Sequence, residues 1–188
     1  MKPRAGDAQM QGQLQELVLQ SPTPVWQRPL CRGDLRAPGN QLRGISRSRA
    51  FLRAWAPSEA LGDEMVRVFE RSGGLAGCEE VLSRLEGRCS RPISVLARRI
   101  VAQEVVTFEW HGRWLLPKFQ FDPADMSVLP AVAAVLAELR GIVEDWELAA
   151  WFAEPSEWLQ GAIPVQALGT DPQSVLAAAR VERFIARF

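Results

Sequence analysis

Only one stretch of this chain alternates with the period of a strand, VVTFEWHGRWLLP from Val105 to Pro117, and it runs into a proline. Proline cannot donate a ladder hydrogen bond, so a sheet built here is short or ends there. Everything around it must bury its apolar surface as helices. The alternation folds back at His111-Gly112, since glycine accepts positive φ freely and histidine is among the residues that tolerate it. A two-residue turn sets Trp110 opposite Arg113 and Phe108 opposite Leu115, so both strands share one apolar face. Past Pro117 the pairing is expected to end. KFQFD then leaves extended, with Phe119 and Phe121 inward and Lys118 and Gln120 outward at period two.

The flanks carry helical spacing. In ISRSRAFLRAW, Ile45, Leu52 and Trp55 share a face, with Arg47, Arg49 and Arg53 around it. Ser58 can cap a second helix whose stripe is Leu61, Met65, Val68 and Phe69, and Gly73-Gly74 stops it. Cys78, Val81, Leu82 and Leu85 follow i, i+3, i+4, i+7, and Ile93, Leu96, Ala97 and Ile100 repeat that spacing after a short link closed by Gly87. Two short helices with apolar inner faces, and Arg98 and Arg99 turned away, outline a helix-turn-helix. After residue 121, Ser127 is placed to cap VLPAVAAVLAELR, whose stripe is Val128, Val132, Val135 and Leu139, with Pro130 in its first turn. Asp145 is placed to cap WELAAWFAE, which Pro155 ends. Asp171-Pro172 opens a last helix in which Val181, Phe184, Ile185 and Phe188 share one face. The expected architecture is mainly α. Residues 1–44 form a proline-punctuated arm, 45–121 a helix-turn-helix-like bundle ending in one small β-hairpin, and 122–188 a compact helical domain.

Composition limits what such a chain does. The net charge is zero over 188 residues, but the charges are segregated. Residues 1–60 carry a net +5, residues 61–121 a net +1 and residues 122–188 a net −6, which points to partners of different character at the two ends. No apolar run is long enough to span a membrane, and the first twenty or so residues lack a signal-peptide core, so a cytoplasmic location is expected. The three cysteines, Cys31, Cys78 and Cys89, have no metal-ligand spacing and read as free thiols. No nucleophile elbow, phosphate loop, dinucleotide fingerprint or HExxH is present, and the single His111 sits at a turn. Glu144, Asp145 and Glu147 cluster where a helix N-terminus attracts acids anyway. The chain is therefore expected to be no enzyme and to hold no cofactor and no metal.

The order of these features resembles a known family. GGLAGCEEVLSRL, SRPISVLARRIVAQ, the hairpin running into PKFQFD, VLPAVAAVLAEL, and the pattern W-x3-P-x2-WL-x-G-x2-P-x3-L from Trp151 to Leu168 follow one another as in the Xre/MbcA/ParS-like antitoxins. The resemblance covers roughly residues 73–188. It implies a type II toxin–antitoxin role, with a RES-domain toxin as partner, a homodimer, and repression of its own operon through operator DNA. RES toxins deplete NAD, so the antitoxin would protect NAD without binding it. Carried over by position, Trp151, Pro155, Leu159, Gly161, Pro164 and Leu168 belong to the toxin-binding signature, with Trp151, Leu159 and Leu168 filling the core beneath the turn. Direct toxin contact is expected from Arg180, Arg183, Arg187 and Phe188 on the last helix. Phosphate contact is expected from Arg47, Arg49, Arg53, Arg98 and Arg99. The alternatives are a stand-alone DNA-binding regulator and an accessory interaction protein with no toxin.

Overall fold

In the computed structural model of this protein, residues 59–187 are described. The arm 1–44, the basic segment with Arg47, Arg49 and Arg53, Ser58 and Phe188 lie outside the described residues. The described fold is mostly helical around a small antiparallel sheet.

Helix α1 (Glu59–Arg71) buries Gly62, Met65, Val68 and Phe69, the inward face of its 3.6-residue period. It ends where Gly73 and Gly74 take φ of 108° and 95°, conformations a side chain resists, and the Gly74 N–H returns to the Phe69 carbonyl at 2.9 Å. Strand β1 (Leu75–Gly77) follows, then α2 (Cys78–Glu86) and α3 (Pro92–Val101), which face each other through the two apolar stripes of the sequence. Strands β2 (Phe108–Trp110) and β3 (Arg113–Pro117) pair across His111 and Gly112, with Phe108 opposite Leu115 and Trp110 opposite Arg113. His111 takes φ 50° and Gly112 φ 70°.

The sheet is larger than a lone hairpin. β1 pairs antiparallel with the other edge of β3, giving the order β1-β3-β2. Three residues starting after a double glycine are too few to show alternation, which is why this strand is silent in the sequence. Pro117 does not end the pairing on this side either. It stands opposite Leu75, and the Lys118 N–H donates to the Gly74 carbonyl at 2.9 Å. No bond to β1 is lost at Pro117, because antiparallel ladder bonds fall on alternate residues and Lys118 makes the one due here.

Beyond Pro117 the chain does not run extended. Lys118–Gln120 forms a 3-10 turn, and the change of period puts Gln120 inside, fully buried. Its amide is satisfied on every side that the cavity offers. The Val106 N–H donates to Gln120 Oε1 at 2.6 Å, and Gln120 Nε2 donates to the Val106 and Pro117 carbonyls, each at 2.8 Å. The side chain thus pairs with Val106 as a neighbouring strand would, at a point where no strand fits. Buried amides are tolerated only when so satisfied.

Helix α4 (Pro130–Leu139) starts later than the sequence implies: Leu129 is its N-cap, not Ser127, and Pro130 occupies the first position. Val128 stays outside it, bridging to Phe121, and Leu136 takes a place on the inner face. Helix α5 (Asp145–Ala153) is capped by Glu144 rather than Asp145, through a capping box in which Glu147 reaches back to the Glu144 N–H. A 3-10 turn (Glu157–Leu159), the single-turn α6 (Pro164–Ala167) and α7 (Pro172–Ile185) complete the chain. Asp171 caps α7 by accepting from the Ser174 N–H at 3.1 Å.

Two apolar cores result. The larger joins α1, β2, α4, α5, α6 and α7, so that Phe69 and Phe108 share an interior with Leu139, Phe152 and Ala179. The smaller joins β1, α2 and α3 to Leu116, Phe121 and Met126. Each fully buried phenylalanine stabilises by about 1.5–3 kcal/mol. The FQF triplet straddles both. Phe119 lies between Phe69 and Phe152, at centroid distances of 5.9 and 5.2 Å, while Phe121 enters the smaller core. Gln120 stands between them and holds the Val106 backbone, so PKFQFD works as the keystone between the two interiors.

Candidate partner interfaces

The Trp151–Leu168 segment builds a closed loop under α7. Ser156, buried at its centre, donates its N–H to the Ala162 carbonyl at 3.0 Å, and its own carbonyl accepts from Leu159 and Gly161 at 3.1 and 2.9 Å. Gln160 at φ 57° and Gly161 at φ 86° turn the chain there, so Gly161 is fixed by backbone geometry and lies at the surface. Trp151 is only 5% exposed and packs edge-on to Phe152 at 5.0 Å. Pro164 is buried, Leu159 and Leu168 are half-buried against the larger core, and Pro155 is exposed. These residues shape a platform; Trp151 and Pro164 are closed to the outside, while Leu159 and Leu168 are partly accessible and Pro155 and Gly161 lie on its surface.

What the platform carries is α7. Its inner face, Val175, Ala178 and Ala179, is buried, and small residues let it lie close to α4. Glu138 of α4 fixes the flank by accepting from Arg180 Nε at 3.2 Å and Arg183 Nη1 at 2.7 Å. Hydrogen bonds from Arg183 and Arg180 hold the Glu138 carboxyl below its ordinary pKa. Trp158 Nε1 donates to Glu182 at 3.3 Å and ties the 3-10 turn to the same helix. Arg180 and Arg183 are therefore engaged within the chain, although Arg180 still shows 63% of its side chain to solvent. Arg187 is exposed. Phe184, which the sequence placed in an apolar stripe, is 65% exposed and points away from the core-facing row. It is the most exposed large apolar side chain among the described residues.

The first half presents a different surface. With Ile93, Leu96, Ala97 and Ile100 turned inward, the opposite row of α3 is Arg91, Ser94, Arg98 and Val101, all exposed. Arg99 does not belong to that row. Its Nη1 donates to the Met126 carbonyl at 3.2 Å, securing the loop after PKFQFD, so the paired cations of the sequence are divided between a surface and a structural role. Gln103, just past α3 at φ 50°, does similar work and gave no signal in the sequence. It donates to the Val143 carbonyl at 3.0 Å and to Asp145 Oδ1 at 3.1 Å, and accepts from the Gly141 N–H at 2.9 Å. Burial pushes the Asp145 carboxyl above its ordinary value, with the Gln103 bond opposing the shift.

A groove of about 270 Å³ opens beside the smaller core, lined by Ala76, Val81, Phe119, Phe121 and Met126, with Glu80 at its edge bridging Arg84 and Lys118 at 3.1 and 2.7 Å. Among the described residues, no group of three or more His, Cys, Asp or Glu side chains is gathered to hold a metal, and no helix is long and apolar enough to cross a membrane. Burial raises the Cys78 thiol to about 11, which keeps it protonated and unreactive. No protein-family model, curated protein or solved structure matches this chain.

Proposed function

We propose that this chain is the antitoxin of a type II toxin–antitoxin pair, a dimerising protein that binds and inhibits a RES-type, NAD-degrading toxin through the outward face of α7. The observation that carries the reading is Phe184, 65% exposed on a helix whose opposite face is buried and whose flank is pinned by Glu138. A rigid helix presenting an aromatic side chain beside arginines is the usual make-up of an interface anchor. The resemblance of the Trp151–Leu168 segment to antitoxin sequences names the class of partner. In this reading Trp151, Leu159, Gly161, Pro164 and Leu168 build the platform, while Arg180, Arg183, Arg187, Phe184 and Phe188 meet the toxin. The net −6 of residues 122–188 steers a cationic partner surface toward it rather than setting the affinity.

Co-expression with a RES-domain toxin encoded beside this gene tests the proposal. Growth is restored and the two proteins co-purify. Phe184→Asp folds normally and weakens capture by about 30-fold or more, the loss of an anchor worth about 2 kcal/mol. Toxicity that the wild-type chain leaves unrelieved ends the proposal.

A second reading has its own support. Helix, strand, helix, helix and two paired strands, in that order, is the layout of a winged helix-turn-helix, with α3 as the recognition helix. Operator binding through Arg98 then serves autorepression, or stands alone in a regulator without a toxin. A promoter duplex bound with Arg98→Ala as tightly as with the wild type removes α3 from that role.

A further inference from the structure

We infer that the groove beside the smaller core is a docking site for a segment of this chain itself, the apolar stretch from Asp7 to Val18, which lies outside the described residues; the inference stands apart from the toxin and DNA readings above. The floor of the groove is Ala76, Val81, Phe121 and Met126, each 6% exposed or less, yet about 270 Å³ stays open above them. Gly73, also in the lining, brings no side chain to cover Phe119, where one would begin 3.7 Å from the Phe119 backbone nitrogen. A dry cavity of about 150 Å³ takes a benzene-sized group, so this groove takes about two leucine side chains.

The mouth selects its occupant by charge. Arg84 and Lys118 both bond to Oε1 of Glu80, at 3.1 and 2.7 Å, so two cations share one carboxylate and the rim keeps a net positive charge. The 58 residues that precede Glu59 divide sharply in charge. Residues 28–58 hold seven arginines against Asp34, so the apolar face of Ile45, Leu52 and Trp55 comes with cations that this rim repels. Residues 5–27 hold no lysine or arginine, and their charges are Asp7 and Glu16. Within them Asp7, Met10, Leu14, Leu17 and Val18 fall at i, i+3, i+7, i+10 and i+11, one face at helical spacing with the carboxylate at its head. The apolar side chains of that face fill the groove, and Asp7 takes up the second cation at its mouth. Burial supplies the affinity, and charge decides which segment enters. The chain is long enough to arrive there. Gly73 lies just past the end of α1, whose 13 residues measure about 20 Å, and the 40 residues from 19 to 58 can span several times that distance. Attachment to the same chain gives the segment an effective concentration of about millimolar order, so a weak contact suffices.

Zero-length carbodiimide cross-linking of the full chain, mapped by mass spectrometry, tests it, because the reagent joins carboxylates to amines in contact. Lys118 is one of two lysines in the chain, and its 2.7 Å pair with Glu80 gives a product that reports an intact fold in every sample. A second product, joining Lys118 to Asp7, is expected. Leu14→Asp/Leu17→Asp is expected to reduce that second product about tenfold or more without lowering the first, since it removes two apolar anchors. An Asp7 product that this double variant leaves undiminished is a chance meeting of charges and overturns the docking. In an equal mixture of isotope-labelled and unlabelled chains, the Asp7–Lys118 product is expected within single copies. Products joining a labelled to an unlabelled chain put a second copy in the groove and overturn the assignment to the chain's own segment. A chain that yields the Glu80–Lys118 product and nothing between Lys118 and residues 7–18 overturns the inference outright.

Discussion

Gly62 sits in the middle of α1, where glycine is normally a cost. Replacing an interior helical glycine by alanine gains about 1 kcal/mol when there is room. Here there is none. A methyl group on Gly62 would overlap Cη2 and Cζ3 of Trp110 and stand 2.6 Å from its Cε3, well inside van der Waals contact. The indole has little freedom to retreat, since it packs on Trp146 at 5.8 Å and on the His111 ring at 4.4 Å, and Trp146 in turn meets Phe108 edge-on. Overpacking of this kind costs about 1–3 kcal/mol. Gly62→Ala is therefore expected to destabilise by about 1 kcal/mol net, a fall in Tm of about 2–4 °C for a chain of this size. In a Trp110→Ala background the overlap is gone, and the same substitution should stabilise by about 1 kcal/mol. Chemical denaturation of the four proteins of this cycle gives a coupling energy of about 2 kcal/mol. Gly62→Ala that stabilises in both backgrounds would refute the close packing of hairpin on helix.

Gln120→Leu keeps the volume but strands the Val106 N–H and carbonyl, so it is expected to cost about 2–4 kcal/mol in denaturant melts, more than Gln103→Leu at its half-exposed site. Asp145 has a folded pKa raised by burial, so its contribution is largest below the ordinary carboxylate value and is lost as pH rises through the raised one. Asp145→Asn keeps an acceptor for Gln103 and should hold or raise the melting temperature at neutral pH while removing that loss with rising pH. Glu138 behaves oppositely: its pKa is depressed by Arg183 and Arg180, so its stabilisation is present above the ordinary value and lost as pH falls through the depressed one, and Glu138→Gln removes that acid-side loss. In native protein Cys78 should resist alkylation at neutral pH, whereas half-exposed Cys89 reacts, as mass spectrometry of the labelled chain would show.

The helices were legible because each carries its own stripe and its own stop. Met65, Val68 and Phe69, then Cys78, Val81, Leu82 and Leu85, are inward as their spacing requires, and Asp171-Pro172 starts α7 where a cap and a fixed φ coincide. Positions set by contacts distant in sequence were not legible. Gln120 looked outward because alternation was carried through Pro117, and only the 3-10 turn, held by Val106 fourteen residues earlier, reverses it. Glu144-x-x-Glu147 did hold a readable capping-box spacing that the acidic Asp145 obscured. Gln103 and Arg99 offered no local signal, since their partners Val143, Asp145 and Met126 are brought to them by the fold. The surface followed the same rule. Arg180 and Arg183 carry no sign along the sequence that Glu138, more than forty residues away, pairs with both while leaving part of each side chain at the surface.

The central claim is inhibition of a NAD-degrading enzyme by the α7 face. Titrating the purified chain into a RES-type toxin, with NAD consumption as the readout, tests it most directly. Inhibition that saturates at a fixed molar ratio and is lost with Phe184→Asp is the predicted result. Undiminished NAD consumption in the presence of excess folded chain would contradict it.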